Sequence, residues 1–76
     1  MKVRWSSPEG FAERLRDKIW ERDLTQAEVA RRVGVGRHTV ECWLYDRRCP
    51  NITQACRLCD VLGCDLMWLV YGRHRE

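Results

Sequence analysis

At 76 residues the chain has room for one small domain, and a composition 45% apolar and 33% charged argues for a globular chain rather than a disordered one. No apolar run approaches the length of a membrane span, and the start MKVRWSSPEG has no apolar segment of the signal-peptide kind. The net charge of +3 permits a nucleic-acid partner without arguing for one, and an odd count of five cysteines points to a reduced, cytoplasmic chain rather than a disulfide framework.

Residues 1–6 carry Lys2, Arg4 and Trp5 and read either as a flexible basic arm able to touch a phosphate or minor groove, or as a frayed terminus. Ser7 and Pro8 then signal a helix start, with Ser7 as the cap and Pro8 where a missing N–H costs nothing. Phe11, Leu15 and Ile19 recur at four-residue steps with Ala12 beside them, one apolar stripe of a first helix, and Trp20 is placed at the edge of that stripe. The remaining faces mix charge of both signs and read as solvated. Asp23 follows the helix and tolerates a left-handed, helix-ending conformation less well than Gly but better than most residues, and Leu24 tucks the connection against the core.

Thr25 and Glu28 form a T-x-x-E capping box that opens a second helix, with Val29, Ala30 and Val33 on one face. Gly34 supplies a tight turn in which φ > 0 is expected. A third helix runs from Gly36 to Tyr45-Asp46, with Val40, Trp43 and Leu44 inward and Arg37, His38, Glu41 and Cys42 outward. Asn51 and Gln54 form another capping box, opening a fourth helix with Ile52, Ala55, Leu58, Cys59 and Leu62 on its apolar face and Gly63 at its end. Asp65 caps a last helix, Leu66 to Tyr71, apolar nearly all round.

The stretch 25–44, with Gln26, Ala30, Gly34, Val40 and Trp43 at their spacings, resembles the helix-turn-helix of the Cro/C1 repressor-like (Xre-type) family, and the likeness extends over residues 11–72. It implies an all-α, lambda-repressor-like bundle of five short helices in one domain, residues 7–72, followed by a short tail, 73–76. In that family the second helix of the motif lies in the DNA major groove. Arg37 and His38 then occupy base-reading positions, Arg37 able to bond guanine bidentately. Thr39 could bond a phosphate or touch a thymine methyl, Glu41 could accept from cytosine or repel the backbone, and Cys42 offers weak polar and modest apolar contact. Gln26 matches a phosphate-clamping position, and Arg47 and Arg48 are placed to hold the backbone on the far side. For the residues of this third helix plain exposure on a solvated helix is the alternative.

In a domain this small the last helix cannot be fully buried, so Met67, Val70 and Tyr71 are expected at a homodimer interface, unless the helix only closes the core. Cys56-x-x-Cys59 has ligand-like spacing, but the further cysteines, Cys49 and Cys64, are irregularly placed, and Cys59 and Cys64 fall where the family has small core residues; no metal and no cofactor are expected, and redox sensing through exposed Cys42 or Cys49 is a lesser alternative. No enzyme is expected either: the sequence offers no phosphate loop, and neither His38 nor His74 has a catalytic neighbour in this reading. The expected function is a sequence-specific double-stranded DNA-binding transcriptional regulator, a repressor acting on operator DNA through helix 36–45. An antitoxin of the same fold, with a toxin as its partner, and a protein-interaction module are the alternatives.

Overall fold

The computed structural model describes residues 8–72; the basic segment 1–6, the cap expected at Ser7 and the tail 73–76 lie outside the described residues. The chain forms α1 (Pro8–Glu21), α2 (Gln26–Val33), α3 (Arg37–Tyr45), α4 (Ile52–Leu62) and α5 (Leu66–Tyr71), an all-helical five-helix domain of the lambda-repressor kind.

Local chemistry sets most of the helix ends. At α2 the Thr25 hydroxyl accepts from the Glu28 N–H at 3.1 Å while the Glu28 carboxylate accepts from the Thr25 N–H at 2.9 Å. The backbone bond from Thr25, then its side chain, hold the Glu28 carboxyl below the usual carboxylate range. Gly34 ends α2 at φ +91°, its N–H returning to the Ala30 carbonyl at 2.8 Å. At α4, Asn51 Oδ1 accepts from the Gln54 N–H at 2.8 Å and Gln54 Oε1 accepts from the Asn51 N–H at 3.0 Å. Asp65 caps α5 by accepting from the Trp68 N–H at 3.1 Å. Asp23 takes the left-handed conformation expected of it, at φ +58°. In the loop after α3 Asp46 stays at φ −112°, and the left-handed residue is Arg47, at φ +57°.

The core gathers one face of every helix. Leu15, Val29, Val33, Val40, Leu58, Leu62 and Leu69 are fully buried, with Phe11, Ile19, Ala30, Trp43 and Leu44 closing around them. Ala30 is small where α2 passes under its neighbours, and α3 packs on both α1 and α2. Two apolar residues leave the faces assigned to them. Trp20 is 85% exposed, because it sits about 100° around the helix from Ile19, on the side of α1 that no other helix covers. Ile52 is 68% exposed, because it is the first residue of α4 and its side chain leans toward the helix N-terminus, away from the core that begins at Ala55.

Four arginines hold helix C-termini other than their own. Arg14 donates from Nε to the Leu69 carbonyl at 3.0 Å and from Nη2 to the Val70 carbonyl at 3.1 Å, at the end of α5. Arg22 donates to the Leu62 and Gly63 carbonyls at 2.7 and 3.2 Å, at the end of α4. Arg57 reaches the Val33 carbonyl of α2 at 3.3 Å, and Arg16 reaches the Leu44 carbonyl of α3 at 3.5 Å. Carbonyls at a helix end lack intrahelical donors and carry the negative pole of the helix dipole, so a guanidinium satisfies both needs.

Candidate nucleic-acid interface

The turn at Gly34 swings α3 across α2 and fixes which side of α3 faces out. Val40, Trp43 and Leu44 are buried, which leaves Arg37 and His38 exposed on the first turn, with Glu41 and Cys42 half-buried behind them. Gly36 caps this helix without a side-chain hydrogen bond, and no acidic side chain sits in the first turn. The first turn therefore presents backbone N–H groups and two basic-type side chains on one surface.

Glu41 lies between the two readers expected from the sequence. Its Oε2 is 3.4 Å from Arg37 Nε and its Oε1 is 3.9 Å from His38 Nδ1. The other imidazole nitrogen, Nε2, is 3.6 Å from Cys42 Sγ. His38 thus has both a thiol and a carboxylate as neighbours, which corrects the expectation that it has none suited to chemistry. The spacing was legible once 36–45 was a helix, since residues 38, 41 and 42 stand at i, i+3 and i+4. Thr39 is half-buried and borders, with His38, Cys42, Asp46, Arg48 and Cys49, a recess at the C-terminal flank of α3.

Gln26 and Arg37 border a second shallow recess with Thr25 and Ala27, so the start of α2 and the start of α3 meet on one surface. The Gln26 amide donates to the Tyr45 hydroxyl at 3.2 Å, and Arg16 stands over the Tyr45 ring at 5.9 Å from its centre. Tyr45 is 62% exposed and was given no role from the sequence. A signal existed: Arg37, Glu41 and Tyr45 follow one another at four-residue steps along the same outward stripe. Arg47 and Arg48 are exposed just beyond α3, the Arg48 N–H donating to the Cys42 carbonyl at 3.3 Å. Arg31 and Arg32 are exposed on α2.

At the other end of the domain Leu69 is the one buried residue of α5; Val70 and Tyr71 are half-buried and Met67 is 43% exposed. Cys59 is buried and Cys64 half-buried, as their core placement required. Among the described residues no three His, Cys, Asp or Glu side chains gather as ligands for a metal ion. Nor is any described helix long and apolar enough to cross a membrane.

A short capped helix, a glycine turn and a second helix with its outward face open define a helix-turn-helix DNA-binding domain. Residues 13–69 match the helix-turn-helix family profile, and the chain belongs to the Cro/C1-type (Xre) helix-turn-helix family. Among solved structures it is similar to a transcriptional regulator from Listeria innocua, with 27% identity and a TM-score of 0.74 over 87% of this chain and 61% of that one. The chain thus spans about three fifths of that protein's length. The DNA-binding domain of the P22 C2 repressor shares the fold at 24% identity and a TM-score of 0.77, over 95% of this chain and 88% of that one. The hydroxypropylphosphonic acid epoxidase from S. wedmorenis matches at 29% identity and a TM-score of 0.76 over 86% of this chain, but only 35% of the epoxidase is covered. That likeness is of one domain, not of an enzyme. No curated protein sequence matches the chain.

Proposed function

We propose that the chain is a sequence-specific double-stranded DNA-binding transcriptional regulator, a repressor that occupies operator DNA as a homodimer in the cytoplasm. The observation that carries this reading is the outward face of α3, where Arg37 and His38 stand exposed at the first turn while the opposite face is locked into the core. In this reading α3 enters the major groove, Arg37 and His38 read base edges, and Thr39, Glu41 and Cys42 shape what is tolerated. Glu41 pre-positions both readers and disfavours sites where no base donor replaces them. Gln26, braced by Tyr45, clamps a phosphate on one flank; Arg47 and Arg48 hold the backbone on the other. Met67, Val70 and Tyr71 supply an apolar patch for the second copy.

The test is selection from a random duplex pool at moderate salt, sequencing the bound fraction. An enriched inverted repeat with half-sites about one helical turn apart is the expected result. Weak, salt-sensitive retention with no enrichment would overturn the reading. The same α5 patch would then favour a protein partner, which a pull-down with the intact chain would identify.

A further inference from the structure

The five cysteines fall into two chemical classes. Burial, reinforced by the neighbouring Cys64, pushes the Cys59 thiol up to about 12, and burial also raises Cys64. Thiols held in the neutral form are poor nucleophiles. Cys42 has a different setting. His38 Nε2 stands 3.6 Å from its Sγ, and His38 Nδ1 stands 3.9 Å from Glu41 Oε1. A base facing a thiol, with a carboxylate near its other nitrogen, is an arrangement that can turn a thiol into a nucleophile. The second thiol is close by. Cys49 is exposed and borders the same recess as His38 and Cys42. The loop after α3 turns back onto the helix end, the Arg48 N–H donating to the Cys42 carbonyl at 3.3 Å, so the backbone beside Cys49 stays within the last turns of α3.

We propose that Cys42 is an oxidant-reactive site on the outward face of α3, that hydrogen peroxide is its co-reactant, and that Cys49 resolves it as an intramolecular disulfide that disables DNA binding. The loss of DNA binding rests on the function proposed above; the thiol chemistry does not. His38 takes the Cys42 proton, and the thiolate attacks one peroxide oxygen. An S–O bond forms, the O–O bond breaks, and the departing hydroxide leaves as water with the proton that His38 holds. The Cys49 thiolate then attacks the Cys42 sulfur. An S–S bond forms, the S–O bond breaks, and the second hydroxide leaves as water with the Cys49 proton. Two thiols and one peroxide give one disulfide and two waters. The new bond ties the Arg47–Arg48 loop to the outward face of α3 and removes both from the geometry that contacts DNA.

The experiment treats the reduced full chain with hydrogen peroxide, alkylates the remaining thiols and maps the peptides. The expected product has lost two hydrogens, carries a Cys42–Cys49 link and leaves exposed Cys56 open to alkylation. Affinity for the selected duplex falls about tenfold or more, the scale of one lost base contact, and a reductant restores it. His38→Gln slows oxidation of Cys42 about a hundredfold or more, as loss of a general base does, and leaves Cys56 unchanged. Cys49→Ser stops at a Cys42 sulfenic acid that dimedone traps, and when reduced it binds DNA as the parent chain does. The proposal is overturned if Cys42 reacts no faster than Cys56, if other cysteines pair, or if the disulfide forms without loss of affinity. If the reduced parent chain binds no duplex, it is the DNA reading that fails, and the mass and trapping results alone decide the thiol site.

Discussion

The arginines on the two sides of this domain do different work. Arg14, Arg16, Arg22 and Arg57 lie against carbonyls at the ends of helices they do not belong to. Arg37, Arg47 and Arg48 line the outward side of α3 and the loop beyond it, where Arg37 shares Glu41 with His38 and the loop pair stand exposed. Counting charge cannot separate the two groups. Of the 14 lysines and arginines, these four hold the fold together, so the net charge of +3 misstates what a nucleic acid would meet. What distinguishes them is the partner: backbone carbonyls at helix ends for the first four, and for Arg37 the Glu41 carboxylate, which a base or phosphate can replace.

The comparison can be broken by substitution, and the largest effect belongs to the framework side. Arg14→Ala leaves the α5 carbonyls without their donor and is expected to cost about 1.5–3 kcal/mol, the range for hydrogen bonds from charged groups, read by denaturant unfolding. It should leave the ranking of DNA sequences untouched. Arg37→Ala should do the reverse. It is expected to lose about 1–3 kcal/mol of discrimination at one base position, with Tm nearly unchanged because an exposed ion pair adds little. A sequence-ranking assay beside a melting curve would show the crossing; equal losses on every duplex would merge the two groups.

Asp23 and Arg47 sharpen the same comparison, since both hold non-glycine side chains in the left-handed region. Asp23→Gly and Arg47→Gly should each stabilise the fold by about 0.5–1 kcal/mol, strain relief less the entropy glycine loses. Only Arg47→Gly should weaken all duplexes alike and lower the salt slope by about one. A salt titration of both variants checks this. The smallest effect is in the α2 cap. The Glu28 carboxyl is held low by its bonds to Thr25, so its contribution is present above the ordinary carboxylate range and is lost as pH falls through its lowered value. Glu28→Gln should therefore flatten the acid limb of the stability curve, measured by thermal melts at stepped pH.

The site was legible in part, and the residues say why. The outward set on α3 followed from helical spacing alone, because burying Val40, Trp43 and Leu44 decides where Arg37, His38, Glu41 and Cys42 must point. The His38–Glu41–Cys42 contacts were latent in the same spacing. Tyr45 against Gln26 was not, because its partner is 19 residues away and only the packing of α3 on α2 brings them together. Trp20 was misplaced for a related reason: an apolar residue near a stripe is buried only if another helix covers it, and none does.

By itself the sequence determined the five helices, their capping boxes at Thr25–Glu28 and Asn51–Gln54, the glycine turn and the inward faces. All of these depend on partners within about one turn of helix, where spacing is fixed before the chain folds. Only the tertiary structure decided which arginines brace and which face outward, that Arg47 rather than Asp46 turns the chain, and that Cys49 borders the same recess as Cys42. The bracing bonds span 24 to 56 residues of sequence, and such pairings exist only once the core has brought helix ends together.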